Sequence, residues 1–101
     1  MPSKLALSAS LAVVVTSDQV SSDLAGEAII LSLSSGVYYG LNEVGASIWN
    51  LIQRPRTIRE IHEALLQDYD VEASQCEQDI LTLLTELLEV GLIEVKDEVV
   101  I

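Results

Sequence analysis

Between Leu41 and Glu43 the spacing of apolar residues changes from a period of two to about 3.6. The change falls inside the run Ser35-Gly-Val-Tyr-Tyr-Gly-Leu-Asn-Glu-Val-Gly-Ala-Ser-Ile-Trp49. Val37 to Leu41 reads as a short strand that feeds directly into a helix. Asn42 is placed as the N-cap, where its side-chain oxygen takes an orphan backbone N–H. The helix beyond it buries Val44, Ile48, Leu51 and Ile52. No catalytic residue set accompanies this junction. The combination points to a strand edge and a packed helix offered to another molecule, not to a reaction centre.

Upstream of the junction the chain reads as β. Leu11 to Thr16 is expected as a first strand and Ser17 to Gly26, rich in Ser and Asp, as a loop. Glu27 to Leu33 is expected as a second strand, with Ile29, Leu31 and Leu33 on one face and Ala28 and Ile30 on the other. Apolar residues on both faces imply that this strand is covered at least in part on both sides. Ser34-Ser35-Gly36 is a tight turn in which Gly36 supplies a positive φ. Val37 to Leu41 returns as the third strand, and its Tyr38 and Tyr39 point to opposite faces, one to the core and one to solvent.

Downstream the chain reads as three helices. The first runs from about Glu43 to Gln53 and stops before Pro55. The second opens on Thr57-Ile-Arg-Glu60 as a capping box, with Ile58, Ile61, Leu65, Leu66 and Tyr69 forming its stripe. The third opens on Ser74-Gln-Cys-Glu77, a second capping box, and ends at Gly91 as C′ residue. Leu92 to Val95 and Glu98 to Ile101 are expected as a small hairpin turning at Lys96-Asp97. The expected fold is therefore α+β: a winged helix-turn-helix with an N-terminal three-stranded antiparallel sheet and three helices, the tail serving as the wing. The 101 residues fit one domain, 1–101.

The third helix carries more apolar surface than a small domain asks of one helix. With Ile80 at the centre and about 100° per residue, its apolar arc covers roughly 160°. Cys76, Leu83 and Leu87 fall on one side, and Leu81, Leu84 and Leu88 on the other. Either neighbouring elements sandwich this helix completely, or the excess lines a groove. No Lys or Arg lies between Val71 and Val95. A DNA-reading third helix would bring basic and amide side chains to bases and phosphates; this one would bring carboxylates.

Charge points the same way. Sixteen Asp and Glu stand against five Lys and Arg, a formal charge of −11. Such a surface repels phosphate backbones and favours basic partners. His62 is the only histidine and Cys76 the only cysteine, so a zinc set would need several carboxylates. His62 reads as a boundary residue of helix two, and Cys76 as a small buried hydrophobe. No glycine-rich phosphate loop is present. No metal, cofactor or enzymatic activity is expected. Lys4 followed by Leu5 to Val15 resembles a signal-peptide core, but Leu5, Leu7, Ala9, Leu11, Val13 and Val15 alternate with Ala6, Ser8, Ser10, Ala12 and Val14 as a strand would. The run is far shorter than a membrane span. A lone cysteine allows no intrachain disulfide, and a cytoplasmic location is expected.

Gly36-Val-Tyr-Tyr-Gly-Leu-Asn42, then Gly45 and Ile48-Trp49, then Thr57-Ile-Arg-Glu-Ile61 and Val90-Gly-Leu-Ile93, together resemble the PqqD-like family over roughly Glu27 to Val95. Its members are recognition elements for the precursors of ribosomally made, modified peptides, and the stand-alone versions from lasso-peptide pathways look most similar. The resemblance implies a non-catalytic domain that binds the leader segment of a precursor peptide. The leader adds as a strand beside the third strand and lies in a cleft against the third helix. Strand addition takes affinity from backbone hydrogen bonds and specificity from side-chain pockets. Carried onto this chain, the strand contacts are Val37, Tyr38, Tyr39 and Gly40. The helix contacts are Cys76, Asp79, Ile80, Leu83 and Leu84. Apart from the resemblance, we expect the Asp79 carboxylate to pair with a basic leader residue. The implied partners are the precursor leader peptide, a leader peptidase and, less directly, a macrocyclase.

Three other readings compete. One is a peptide carrier for a radical-chemistry enzyme, as in quinone-cofactor biosynthesis. Another is a winged-helix transcription regulator, which the acidic third helix opposes. The last is a dimerisation module, since an open third-strand edge also suits a homodimer. Neither nucleic acid nor a membrane is an expected partner.

Overall fold

The computed structural model describes residues 10–96. In chain order its elements are β1 (Ala12–Val15), β2 (Gln19–Leu24), β3 (Glu27–Ser32), β4 (Tyr38–Leu41), α1 (Glu43–Leu51), β5 (Arg56–Thr57), α2 (Ile58–Asp68), α3 (Ala73–Glu89) and β6 (Ile93–Lys96). The fold is α+β, with three helices and a three-stranded antiparallel meander in the order β2-β3-β4. A second small sheet, β5-β1-β6, holds the first and last described strands.

The meander differs from expectation in one strand. Gln19–Leu24, inside the segment read as a loop, is a strand that pairs along β3 from Gln19↔Ser32 to Leu24↔Glu27. Five of its six residues are exposed, so it shows no apolar alternation. Backbone pairing holds it, together with a two-residue turn in which Ala25 and Gly26 both take positive φ, 54° and 86°. That pair of angles is the hairpin turn whose twist matches the flanking strands. β1, expected beside the Glu27 strand, pairs instead with β5 and β6. It is a central strand, which accounts for its continuous Ala-Val-Val-Val run.

The β3–β4 turn follows the sequence. Gly36 has φ 72°, its N–H donates to the Ser32 carbonyl at 2.8 Å, and the Ser32 N–H donates to the Val37 carbonyl at 2.9 Å. The inner face of the meander presents buried Ala28, Ile30 and Ser32. Its outer face is open, contrary to the expectation of cover on both sides of β3. Val20, Leu24, Ile29, Leu33, Val37 and Tyr38, all on this meander, are six of the ten large apolar side chains exposed among the described residues.

Ends of helices repeat the same chemistry. The Asn42 Oδ1 accepts the Gly45 N–H at 2.9 Å at the start of α1. Thr57 Oγ1 accepts the Glu60 N–H at 3.1 Å while the Glu60 carboxylate accepts the Thr57 N–H at 2.9 Å, the reciprocal box expected for α2. α3 starts two residues earlier than its Ser74-x-x-Glu77 pattern suggested. Its cap is Glu72, whose carboxylate accepts the Gln75 N–H at 2.9 Å and the Ser74 hydroxyl at 2.8 Å. Glutamate is an uncommon cap, and Ser74 is taken up in orienting it. At the other end Gly91, φ 78°, donates to the Leu88 carbonyl and Leu92 to the Leu87 carbonyl, a Schellman stop.

One apolar cluster joins both sheets and all three helices: Val13 and Ile93 from the small sheet, Ile30 from the meander, and Ile48, Ile61 and Ile80 from the helices are among its members. In α1, Ile48 and Ile52 are fully buried and Val44 and Leu51 half-buried. Trp49 is buried, and its Nε1–H donates to the Ser21 hydroxyl at 3.1 Å, tying α1 to β2. β6 pairs with β1 from Lys96↔Ala12 to Ile93↔Val15. The second half of the expected tail hairpin, 98–101, and the alternating stretch 5–9 lie outside the described residues.

Candidate functional site

Among the described residues β4 is an edge strand, hydrogen-bonded to β3 on one side only. Which of its backbone groups face outward follows from the register. Ser32 and Val37 form a hydrogen-bonded pair, and pairs along β3 and β4 alternate from there through Leu31↔Tyr38, Ile30↔Tyr39 and Ile29↔Gly40. In an antiparallel ladder, alternate residues turn both N–H and C=O to the partner strand and the others turn both away. Tyr39 therefore bonds inward to β3, as does the Val37 carbonyl, while the Val37 N–H donates to the Ser35 hydroxyl at 3.3 Å. Tyr38 and Gly40 present their N–H and C=O groups at the free edge.

Beside this edge lies a groove of about 460 Å³. Gly40 and Leu41 of β4 form one wall, followed by Asn42, Val44, Gly45 and Ile48 at the start of α1. Leu65, Tyr69 and Val71 close it where α2 gives way to α3. The opposite wall is α3, through Gln75, Cys76, Asp79, Ile80, Leu83 and Glu86. This wall is the side of α3 that carries the apolar excess, and the groove is where that excess goes. On the α3 wheel, Cys76, Leu83 and Ile80 turn toward it, while Leu84 turns into the core.

Local chemistry keeps the walls apart. Gly45 packs so closely under the strand that a Cβ there would stand 3.2 Å from the Leu41 Cβ. Ser47 and Tyr69 share a hydroxyl–hydroxyl hydrogen bond of 2.7 Å, joining α1 to the end of α2. His62 Nε2 donates to the Ala73 carbonyl at 2.9 Å and so fastens α2 to the first turn of α3. His62 is thus a boundary residue with a structural bond, as its position in the sequence suggested.

Of the nine residues proposed from the sequence as contacts, Gly40, Cys76, Asp79, Ile80 and Leu83 line this one groove. Tyr38 is 68 % exposed on the outer face of the sheet, with its backbone at the free edge, and Val37 is exposed before the strand begins. Tyr39 packs against the core cluster and has its backbone bonded to β3. Leu84 is the clear correction: it is 0 % exposed and belongs to the core, about 40° from Ile80 on the side away from Leu83. Sequence reasoning passed over the contributions of Gly45, Tyr69, Val71, Gln75 and Glu86. Glu86 was legible, since it stands seven residues, two turns, after Asp79.

Charge in the groove is carried by α3. Asp79 accepts the Gln75 side-chain N–H at 3.0 Å, and Glu86 stands two turns further on. Among the described residues no Lys or Arg lines the groove. Burial pushes the Cys76 thiol above its ordinary value, and the Asp79 carboxylate adds to the shift, so the sulfur stays protonated at neutral pH. Among the described residues no group of three or more His, Cys, Asp or Glu is placed to hold a metal ion. No helix among them is long and apolar enough to cross a membrane.

The site therefore couples an unpaired strand edge to an apolar trench with an acidic helical wall. Among solved structures, TbiB1 in complex with the TbiA(beta) leader peptide superposes with a TM-score of 0.76, at 29% sequence identity over 84% of this chain and 99% of TbiB1. A lasso peptide synthetase B1 complexed with the leader peptide has the same fold, with a TM-score of 0.72 and 24% identity over 81% of this chain and 96% of the other. No curated protein matches the chain. The family described as coenzyme PQQ synthesis protein D (PqqD) matches residues 27–93, from the start of β3 to the start of β6. The chain belongs to the PqqD family.

Proposed function

We propose that this chain is a single, non-catalytic recognition domain that binds the leader segment of a ribosomally made precursor peptide, of the lasso type, and delivers it to a leader peptidase and a macrocyclase in the cytoplasm. The observation that carries this reading is the free edge of β4 beside the α3 groove. A peptide laid along the edge gains backbone hydrogen bonds from Tyr38 and Gly40, and its alternate side chains enter the groove over Ile48, Ile80 and Leu83. The likeness to TbiB1, solved in complex with a leader peptide, supports leader-peptide binding.

Nothing in the groove asks for chemistry. Its one thiol is held protonated, and its carboxylates stand on an open wall. Delivery needs a second surface, and the exposed apolar outer face of β2–β4 is the one we assign to it, because it adjoins the strand that the peptide would extend.

Calorimetric titration with the leader encoded beside this gene tests the reading. Saturable binding in the low micromolar range or tighter, weakened by Leu83→Asp in a variant that still melts cooperatively, is expected. Absence of binding at tens of micromolar would overturn it.

A second reading within the family has one observation in its favour: the family description itself names coenzyme PQQ synthesis. A peptide carrier serving a radical-chemistry enzyme would use the same groove and differ only in the enzyme it meets. A DNA-binding regulator is disfavoured by an α3 without Lys or Arg. Pairing of two copies through β4 would compete with peptide for the same edge, and light scattering across concentrations separates the two.

A further inference from the structure

The groove has a sign as well as a shape. Its floor is apolar, and the only carboxylates that described residues place on its walls, Asp79 and Glu86, stand on one face of α3 with Leu83 between them. The nearest charged groups on the other lining elements are absent from the walls: β4, Asn42, the α1 residues Val44, Gly45 and Ile48, and the α2 residues Leu65 and Tyr69 contribute none. The chain as a whole carries −11, so its field adds to that of the two carboxylates instead of cancelling it.

We propose that Asp79 and Glu86 make this groove selective for an extended peptide that carries Lys or Arg on either side of the apolar residue resting on Leu83. The inference rests on the reading of the groove as a strand-addition site. The spacing supports it. Seven helical residues separate the carboxylates by about 10 Å along the axis, which equals the rise of about three residues of extended chain. Basic residues four apart in a strand lie on the same face as the apolar residue midway between them and span about 13 Å, within the reach of flexible Lys and Arg side chains. Gln75, one turn before Asp79, donates to its carboxylate at 3.0 Å and biases its rotamer.

The role differs from that of the apolar floor. Apolar contacts set how tightly any extended segment is held. The two carboxylates set which segment is chosen, because an acidic residue at the same place would meet like charge.

A random-peptide display selection tests this without a known ligand. Random peptides are selected on the full chain, on Asp79→Asn/Glu86→Gln, and on a control, Glu63→Gln/Glu94→Gln. Both control positions are exposed and lie outside the groove. All three proteins are first checked for unchanged melting. Wild type and control are expected to enrich apolar residues flanked by Lys or Arg. The groove variant is expected to keep the apolar enrichment and lose the basic one. Individual Lys-bearing peptides should lose about 5-fold in affinity per carboxylate removed, the scale of a partly exposed ion pair. Equal basic enrichment on wild type and groove variant would overturn the proposal while leaving the groove reading intact. Loss of basic enrichment in the control as well would trace it to net charge and overturn the proposal too. Failure of the strand-addition reading has a different signature: no apolar enrichment on any of the three, and no effect of Leu83→Asp.

Discussion

The Asn42 side-chain oxygen accepts the Gly45 N–H at 2.9 Å, and a Cβ built on Gly45 would stand 3.4 Å from that same oxygen and 3.2 Å from the Leu41 Cβ. One residue caps the helix, and the other is bare so that the strand can lie against it. The angle at which β4 meets α1, and with it the mouth of the groove, depends on both. Asn42→Ala should lower stability by about 1 kcal/mol through the lost cap. Gly45→Ala should cost a similar amount despite its better helix propensity, since Leu41 must move away. Urea melts of both variants read this directly. A stabilising Gly45→Ala would show that the strand and helix are not held in contact.

Trp49 and Ser21 are 28 residues apart and joined by one hydrogen bond of 3.1 Å. Trp49 is buried and is the only tryptophan, so its fluorescence reports on the meander. Ser21→Ala leaves the indole N–H without that partner, and should cost about 1 to 2 kcal/mol. Its emission should shift while the far-ultraviolet circular dichroism stays unchanged. An unaltered spectrum and melt would mean that β2 is not fastened to α1 at this point.

Leu83 and Leu84 are neighbours in sequence with opposite duties. Leu84 is fully buried, so Leu84→Ala should cost about 2 to 5 kcal/mol in unfolding free energy. Leu83 is half-buried and lines the groove, so Leu83→Ala should cost less in stability and more in peptide affinity. Paired denaturation and binding measurements distinguish the two, and equal profiles would contradict the assignment of α3 faces.

Glu72 caps α3 through its carboxylate. Hydrogen bonds from the Gln75 backbone and then the Ser74 side chain hold its pKa below the ordinary value. A depressed folded-state pKa stabilises the fold above the unfolded pKa, and that contribution disappears as pH falls through the lowered value. Melting temperatures of wild type and Glu72→Gln should therefore differ at neutral pH and converge below about pH 4. A difference independent of pH would mean that ionisation of this carboxylate does not matter to the cap.

How much of this was legible in the chain depended on what each segment buries. The α1 cap, the α2 capping box, the Gly36 turn and the Gly91 stop each announce themselves by one or two residues with a fixed local role, and all four stand where the sequence puts them. β2 did not, because an edge strand of Gln, Ser and Asp carries no apolar alternation and is held by pairing alone. The partner of β1 was equally hidden, since register between distant strands is a tertiary property. The excess on α3 was visible as an arc, but its division into groove and core, Leu83 against Leu84, turns on about 100° of rotation and on which elements pack there.

The central claim is that peptide adds to the β4 edge through Tyr38 and Gly40. Residue-resolved amide hydrogen exchange, with and without leader peptide, tests it most directly. The Tyr38 and Gly40 amides, which face the free edge, should exchange quickly alone and slow markedly with peptide bound. Tyr39 and Leu41, whose amides face β3, should change little. Saturating peptide that leaves Tyr38 and Gly40 as fast as before would place binding elsewhere and refute strand addition at β4.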